Sequence, residues 1–192
     1  LALLTGTDLS AALAARPTVV TTIGQVKAGK FEIEGALWLE PDANITSGES
    51  FARHILHGVA YHEETFGVTP RVFWLPDTFG YSAALPQMMK LADVDMFVTH
   101  KMSWNDTNRM PNETFHWQGI DGSTVAAYFM TTQPYTATGF GTTYNADIKP
   151  TFVMGTWKRH AQQALNKELF MVYGHGDGGG GPTREMLENI RR

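Results

Sequence analysis

The chain has 192 residues, of which 43% are hydrophobic and 18% charged, with a net charge of −4 and no cysteine. These values are typical of a soluble globular protein with a sizeable core, and the negative charge argues against a nucleic-acid or anionic-membrane partner. The lack of cysteine excludes disulfides, thiolate metal sites and cysteine nucleophiles. No apolar run reaches the roughly 18 residues of a membrane span.

Helical patterns dominate the first part of the chain. An alanine-rich stretch at 8–15 predicts a short helix, and residues 17–27 predict another. Residues 31–38 are rich in strand-forming residues and predict a strand. The strongest signal lies at 47–66, where apolar residues recur at helical spacing after a serine that can cap the helix. Gly67 is expected to end that helix.

Strands and helices alternate through the rest of the chain. The predicted elements are a strand at 71–75, a helix at 82–91, a strand at 94–99, a hairpin at 114–130 around Asp121-Gly122, a loop at 132–144, a helix at 150–167, a strand at 168–173 and a last helix after Pro182. Such alternation indicates a mainly parallel α/β sheet or barrel. Because no linker composition interrupts it, residues 1–192 are predicted to form a single domain.

The most informative segment is WLPDTFGYS at 74–82. A predicted buried strand ends in a proline, and the carboxylate of Asp77 follows at once, before the next helix. The carboxyl ends of parallel strands are where α/β proteins build their sites. Asp77 is therefore a candidate catalytic residue, with a plain aspartate turn or helix cap as the alternative.

Asp177 lies in the segment GDGGGG at 176–181 and also follows a predicted strand. The glycine run is no phosphate loop, since no lysine follows Gly181. Two carboxylates at one end of a parallel sheet suit acid/base or nucleophilic chemistry. Retaining glycosidases place such a pair about 5–5.5 Å apart. The alternative for Asp177 is a turn residue in a loop.

Other polar and aromatic side chains follow the predicted strands. Phe79 and Tyr81 come just after Asp77 and are expected to line a cleft, because aromatic rings pack well against the apolar faces of sugars. Lys101 follows another strand and could contact a polar substrate or be an ordinary surface lysine. The histidines of the helix at 47–66 match no His-Glu-x-x-His motif and are interpreted as part of a solvated or partly packed helix face.

Four segments in register resemble one enzyme family. They are GALWLEPDAN at 35–44 with SGES at 47–50, WLPDTFGYSAALPQ at 74–87, KMSWNDTN at 101–108, and GDGGGGPT at 176–183. From about residue 22 to its C-terminus, the sequence resembles the family-38 glycoside hydrolases, the α-mannosidases. It is most similar to their bacterial, fungal-vacuolar and cytosolic branch, which implies a location in the cytoplasm or a fungal vacuole.

The resemblance implies a retaining exo-α-mannosidase that cleaves terminal α-mannosides with the help of a catalytic zinc ion. It assigns to Asp77 the roles of nucleophile and zinc ligand. Phe79 matches an aromatic residue near the sugar, and Lys101 matches a basic residue that contacts the substrate. Asp177 lies in the segment that holds the family's acid/base. Tyr135 is a further candidate for a tyrosine that touches the sugar.

The sequence also departs from the family pattern. Residues 1–21 contain no histidine, so the His-x-Asp motif that supplies two zinc ligands is missing, and another zinc histidine is expected beyond Arg192. Zinc takes about four protein or water ligands. The chain by itself is therefore expected to bind zinc weakly or not at all. The resemblance implies that it is an incomplete, internal part of a seven-stranded, mainly parallel (β/α)7-barrel-like catalytic domain.

Two alternatives to an active α-mannosidase stay open at this point. The chain could be a catalytically silent piece, because zinc ligands are missing. It could also belong to a metal-dependent carbohydrate-active relative such as a polysaccharide deacetylase, which forms no covalent sugar intermediate. An incomplete barrel would expose strand edges and apolar surface, so self-association is predicted.

Overall fold

The computed structural model describes residues 23–132, 142–175 and 181–192. The chain divides into two compact units, one of residues 1–98 and 116–126 and the other of residues 99–115 and 127–192. The single domain predicted for the whole chain stays a prediction.

Two elements predicted near the N-terminus lie wholly or partly outside the described residues. The predicted helix at 8–15 lies outside them, and of the predicted helix at 17–27 the described residues 23–27 are helical. Most of the predicted loop at 132–144 also lies outside.

Helix α1, Gly48–Phe66, confirms the strongest helical prediction. The Ser47 side chain caps its first turn by accepting the N–H of Ser50. Gly67 ends the helix in the left-handed conformation at φ 69°, and its N–H donates to the carbonyl of Glu63. Glycine adopts this conformation without a steric penalty, so these caps were readable from local sequence.

Helix α1 approaches the backbone of the preceding segment closely at Gly58. The N–H of Trp38 donates to the carbonyl of His54 at 2.9 Å. A Cβ atom added at Gly58 would lie 2.5 Å from the carbonyl carbon of Leu37 and 2.6 Å from the carbonyl oxygen of Ala36. The helix and this segment therefore pack backbone against backbone.

Four strands form one sheet in the order β1-β2-β4-β3. They are β1 Val72–Trp74, β2 Met96–Thr99, β3 Thr114–Gln118 and β4 Thr124–Phe129. Strands β1 and β2 are parallel, with Val72 opposite Met96 and Trp74 opposite Val98. The strands predicted at 71–75 and 94–99 are thus confirmed at slightly shorter lengths.

Strand β4 runs parallel to β2. The N–H of Ala126 donates to the carbonyl of Asp95, and that of Met130 to the carbonyl of Thr99, both at 3.0 Å. The residue numbers of the two pairs rise together with a constant offset, which is the pattern of parallel strands. The sheet is therefore mainly parallel, as predicted, while closure into a (β/α)7 barrel stays a proposal.

Strands β3 and β4 form the predicted hairpin. The N–H of Gly119 donates to the carbonyl of Ser123, and that of Phe129 to the carbonyl of Glu113. In these pairs one residue number falls as the other rises, so the strands are antiparallel. The turn between them contains Gly122 at φ 88°, which fits the predicted Asp-Gly turn.

The strand predicted at 31–38 is wrong, because these residues form no β-ladder. The Glu34 carboxylate accepts the N–H groups of Arg71 and Val72 at 3.2 Å each. The N–H of Ala36 donates to the carbonyl of Val72. The Glu34 side chain thus satisfies backbone N–H groups at the start of β1 that a neighbouring strand would otherwise bond. Burial raises the pKa of Glu34.

Aromatic rings build the core of the first unit. The rings of Phe51 and Phe73 stack at 6.0 Å between centroids, Phe73 meets Phe97 at 5.8 Å, and Phe97 meets Trp117 at 5.0 Å. Helix α2, Leu85–Leu91, is shorter than predicted by its first turn. The apolar residues that sequence periodicity assigned to α1 and to the strands therefore converge on one another.

Helix α3, Pro150–Arg159, ends earlier than the helix predicted at 150–167. The chain leaves the helix at His160, which is extended at φ −62° and ψ 111°. The buried ring of His160 contacts the Glu113 carboxylate through Nδ1 and the Asn166 carbonyl through Nε2, the latter at 3.0 Å. These long-range contacts hold His160 outside the helix.

The strand predicted at 168–173 is also wrong. Only an isolated parallel bridge between Ala146 and Tyr173 forms there. The bridge consists of the Ala146 N–H donating to the Val172 carbonyl and the Gly174 N–H donating to the Ala146 carbonyl. A single bridge extends no ladder, so the apolar run at 168–173 packs without entering the sheet.

The last predicted helix is confirmed as α4, Arg184–Arg191. The Thr183 hydroxyl accepts the N–H of Met186 at 3.2 Å and caps it. A 3₁₀ helix, Lys101–Ser103, follows directly after β2.

His62 provides a pH-dependent contribution to stability. It lies on α1 with 3% of its surface exposed, the described residues offer its Nδ1 no hydrogen-bond partner, and burial lowers its pKa. The native chain therefore keeps His62 neutral, whereas an unfolded chain binds a proton below a pH of about 6.5. We expect the free energy of unfolding to fall as the pH drops from about 6.5 towards the lowered pKa.

Urea unfolding between pH 7.5 and 5.5 measures this effect. His62→Phe is expected to flatten the pH dependence, and part of the slope should remain because burial and His57 also lower the pKa of His54. Leu56→Gln, an exposed change on the same helix that adds or removes no titratable group, is the matched control. A His62→Phe chain with the full wild-type slope would contradict the assignment.

Candidate functional site

Asp77 lies just past the carboxyl end of β1. The preceding Leu75 and Pro76 are buried, and the N–H of Leu75 donates to the carbonyl of Val98, which extends the parallel pairing. Asp77 itself is half-buried. The structure therefore places this carboxylate where the sequence predicted it, at the edge of the sheet where parallel α/β proteins build sites.

The turn that follows β1 is braced by residues 40–45. The Glu40 carboxylate accepts the backbone N–H of Asp77 at 2.8 Å, and the Asn44 side-chain amide donates to the carbonyl of Phe79 at 2.8 Å. Asp42 accepts the N–H groups of Asn44 and Ile45, and these bonds lower the pKa of Asp42. A polar loop thus holds the turn from one side through hydrogen bonds to its backbone.

The same turn requires a glycine next to Asn44. Gly80 has φ 122°, and a Cβ atom there would lie 2.8 Å from the Asn44 amide nitrogen. Side chains rarely adopt this conformation. Gly80 therefore permits both the left-handed turn and the close approach of Asn44.

Tyr81 braces the turn internally. Its hydroxyl lies 3.0 Å from the carbonyls of Leu75 and Thr78, to which it can donate. Its ring packs edge-on against Phe97 at 4.9 Å. Tyr81 thus has a structural role, because its polar end is bonded to the backbone of the turn and its ring packs on the core. The prediction that it lines a cleft stays a prediction.

Phe79 is the aromatic residue of the turn that faces outward, with 61% of its surface exposed. Large aromatic side chains usually gain stability by burial. An exposed phenyl ring two residues after a catalytic candidate is therefore a plausible surface for the apolar face of a sugar ring. The predicted contact of Phe79 with substrate stays a prediction.

Lys101 belongs to the second unit and is only 8% exposed, so the alternative of an ordinary surface lysine is wrong. Its ammonium group lies 3.3 Å from the ring centroid of Trp104 and 5.4 Å from that of Tyr144. Aromatic faces attract cations and so offset part of the cost of burying the charge. The buried ring of His100 joins this cluster, 5.2 Å from Tyr144.

The structure places Asp77 and Phe79 together in one turn of the first unit and Lys101 in the second unit. Asp177 and Tyr135 lie outside the described residues. The pairing of Asp77 with Asp177 and the contact of Tyr135 with a sugar therefore stay predictions.

Within residues 23–132, 142–175 and 181–192, no three histidine, aspartate or glutamate side chains lie close enough together to hold a metal ion. The Glu40 carboxylate beside the turn is bonded to the Asp77 N–H. Since zinc takes about four ligands, the predicted role of Asp77 as a metal ligand stays an expectation from the family resemblance.

Sequence reasoning missed the roles of Glu40 and Asn44. Both lie in the segment GALWLEPDAN, which carries part of the family resemblance. The resemblance gave no structural role to the polar residues of this segment. Each bonds a residue 35 or more positions away, and no local pattern reports such a partner. An Asp-x-Asn spacing such as that of Asp42 and Asn44 favours a tight turn, and this signal could have indicated the turn.

Comparison with known proteins supports the resemblance. Residues 14–192 match the family model described as the N-terminal domain of glycosyl hydrolases family 38. The chain is 43% identical over 170 residues to an alpha-mannosidase of Saccharomyces cerevisiae and 42% identical over 166 residues to alpha-mannosidase G of Dictyostelium discoideum. These alignments cover 88% and 86% of the chain.

A solved structure shows the same fold. The crystal structure of an alpha-mannosidase from Enterococcus faecalis V583 covers 97% of the chain with a TM-score of 0.75 at 21% sequence identity. The chain spans 21% of that structure's length, and 15% and 14% of the yeast and Dictyostelium proteins.

Proposed function

Because the chain belongs to glycosyl hydrolases family 38, we propose that it contributes the nucleophile of a retaining exo-α-mannosidase that cleaves terminal α-D-mannosides. The observation that carries the proposal is the position of Asp77, at the carboxyl end of a parallel strand in a turn braced from two sides. The sequence similarity to alpha-mannosidases supports mannosides or mannose-containing oligosaccharides as the substrate class. The family match favours a glycoside hydrolase over the deacetylase-like alternative.

The proposed reaction has two steps. A carboxylate oxygen of Asp77 attacks the anomeric carbon, the glycosidic C–O bond breaks, and Asp177 gives its proton to the leaving oxygen. A glycosyl ester of Asp77 results. Asp177, now ionised, takes a proton from water as the water attacks the anomeric carbon and releases Asp77. The product keeps the configuration of the substrate.

The bracing of the turn supports the role of Asp77. A nucleophile is effective when its carboxylate is held close to the attack geometry before substrate arrives. The bonds with Glu40 and Asn44 involve the backbone of the turn, at Asp77 N–H and the Phe79 carbonyl. We therefore assign Glu40 and Asn44 as positioning residues in the proposed site.

Phe79 is proposed to pack against the sugar, and Tyr135 and Lys101 to contact it. A contact by Lys101 would compete with the attraction of its ammonium group to Trp104. Zinc stays an expectation, and no step is assigned to it, because the described residues do not assemble its ligands. The (β/α)7 barrel is likewise proposed, with the parallel pairing of β1, β2 and β4 in its support.

The location of the protein and its association with other molecules are further parts of the proposal. None of the helices in the described part of the chain has the length and apolar composition that crossing a bilayer requires. The location in the cytoplasm or a fungal vacuole and the self-association of the chain stay predictions, as does the lack of a nucleic-acid partner.

Trapping the glycosyl intermediate tests the proposed function. With a 2-deoxy-2-fluoro mannosyl fluoride as substrate, the covalent ester is released slowly. We therefore expect incubation to add one fluoromannosyl group to an enzyme that contains this chain and is as long as the relatives. Peptide mapping should place that group on Asp77. An adduct on another carboxylate, or hydrolysis with inversion of configuration, would contradict the proposal.

The same experiment on the 192-residue chain addresses the silent-piece alternative. An unlabelled 192-residue chain beside a labelled longer enzyme would support that alternative. Labelling of Asp77 in the 192-residue chain would exclude that alternative.

A further inference from the structure

A cavity of about 60 Å³ in the second unit has two arginines, Arg109 and Arg159, in its wall. We call it the arginine cavity. Polar groups of Ser103, Asn112 and Thr131 also line it. A water molecule needs about 10–15 Å³ of such space, so the cavity has room for a group of a few heavy atoms.

The guanidinium of Arg159 is held in place by buried neighbours. Arg159 is the last residue of α3, and its Nη2 donates to the hydroxyls of Thr142 at 3.0 Å and Thr156 at 3.4 Å. Both threonines are buried, with 1% and 2% of their surface exposed. The head group is therefore positioned before any ligand arrives, which reduces the entropic cost of binding.

The positive charges of the arginine cavity repel each other. Burial and the nearby charge of Arg109 lower the pKa of Arg159. Arg109 is exposed, and no hydrogen bond or ion pair joins it to another described residue. An anion between the two guanidinium groups would relieve this repulsion.

Glu113 also lines the cavity, but its carboxylate is engaged elsewhere. It contacts His160 Nδ1, and both of its oxygens accept the N–H of Ala161, at 3.2 and 3.4 Å. His160 Nδ1 contacts Glu113, and its Nε2 lies 3.0 Å from the Asn166 carbonyl. The bonds of the Glu113 carboxylate thus go to His160 and Ala161. His100, buried in the wall, is the other titratable group there.

Thr131 provides a further hydrogen-bonding group. It is 5% exposed. Burial raises the pKa of Tyr128, and a hydrogen bond between the side chains of Thr131 and Tyr128 lowers it. A hydroxyl can donate one hydrogen bond and accept two, so Thr131 can bond a ligand as well. The hydroxyls of Thr132 and Ser103 are bonded to each other and to the backbone, the first donating to the second and the second to the His100 carbonyl.

We propose that the arginine cavity is a binding site for a small phosphate-type oxyanion, held by the guanidinium groups of Arg109 and Arg159 and by the Thr131 hydroxyl. Arginine is suited to this task because its planar, permanently charged fork carries five N–H donors. The ligand is inorganic phosphate or the phosphate head group of a monoester whose remaining part extends out of the cavity.

Isothermal titration calorimetry of the 192-residue chain at low ionic strength tests the site, with inorganic phosphate in one arm and methyl phosphate in the other. Saturable one-site binding in either arm supports the proposal. Binding of both indicates that a monoester head group fits, and binding of phosphate alone indicates the free ion. Sulfate, another small oxyanion, is expected to compete with phosphate for the site. The proposal would be overturned if neither phosphate nor methyl phosphate gave saturable heat, or if sulfate did not compete.

Matched variants locate the binding. Arg109→Gln, an exposed change, is expected to weaken binding by at least about tenfold, since a hydrogen bond to a charged group contributes about 1.5–3 kcal/mol and each 1.4 kcal/mol is tenfold. Arg159→Lys keeps the charge but loses the fork, and should also weaken binding. Lys158→Gln removes an exposed charge from the same turn of α3 without lining the cavity and should leave binding unchanged.

Thermal melts without ligand show whether each variant folds. If Arg159→Lys fails to fold, Arg109→Gln decides the question by itself. Wild-type affinity in Arg109→Gln, or an equal loss in Lys158→Gln, would show that phosphate binds by general attraction to surface charge and would overturn the site.

Discussion

Replacing Asp77 by asparagine is expected to lower the turnover of an aryl α-mannoside by at least about a thousandfold in an enzyme that carries the chain at the length of its relatives. Removing the covalent nucleophile of a serine protease costs about 2 × 10⁶-fold. Asparagine has nearly the shape of aspartate, but its neutral amide is a poor nucleophile and forms no stable glycosyl ester. Initial rates at saturating substrate measure the effect.

The structure indicates that Asp77→Asn leaves the turn intact. The bond to Glu40 uses the backbone N–H of residue 77, which the substitution keeps. Asp93→Asn is the matched control, because Asp93 is exposed in a turn at φ 55°, a conformation that asparagine tolerates. Near-normal turnover by Asp77→Asn, or an equal loss in Asp93→Asn, would refute the assignment of the nucleophile.

Replacing Gly58 by alanine is expected to destabilise the chain by about 3 kcal/mol or more, at the upper end for overpacking. The added methyl group would lie 2.5, 2.6 and 2.7 Å from backbone atoms of Leu37, Ala36 and Trp38. No rotation of a side chain can relieve contacts with backbone, so α1 or the segment at 36–38 must move. For a chain of this size the melting temperature should drop by roughly 6–12 °C.

Gly24→Ala is the control for the destabilisation at Gly58. Gly24 lies in the helical residues 23–27, and a Cβ atom there would meet no atom within 4 Å. At such a position alanine stabilises a helix by about 0.5–1 kcal/mol relative to glycine. Differential scanning calorimetry of the two variants should therefore show shifts of opposite sign. A Gly58→Ala chain that melts with the wild type would contradict the packing of α1 on the backbone at 36–38.

Local sequence was sufficient wherever a signal and its partner lie within a few residues. Ser47 and Gly67 mark the ends of α1 because capping bonds reach no further than four positions. The Asp-Gly turn sets the β3–β4 hairpin for the same reason. The position of Asp77 after a strand also followed from the sequence, since the end of an apolar run and a proline are local features.

The errors occurred where distant residues compete with a local preference. Residues 31–38 have strand-forming side chains, but the Glu34 carboxylate bonds the N–H groups at β1 in place of a neighbouring strand. The helix that begins at Pro150 ends at His160 because Glu113 holds that ring 47 positions away in the sequence. Helical periodicity beyond residue 160 could not reveal this contact.

By itself the sequence determined the family, the order of most helices and strands, and the position of Asp77 at a strand end, because each depends on motifs or on neighbours along the chain. Only the tertiary structure decided that Glu40 and Asn44 brace the Asp77 turn, that Tyr81 is bonded inside it, and that Lys101 is buried against Trp104. Those contacts depend on which side chains folding brings together in space, and hydrogen bonding and burial, rather than spacing in the sequence, select them.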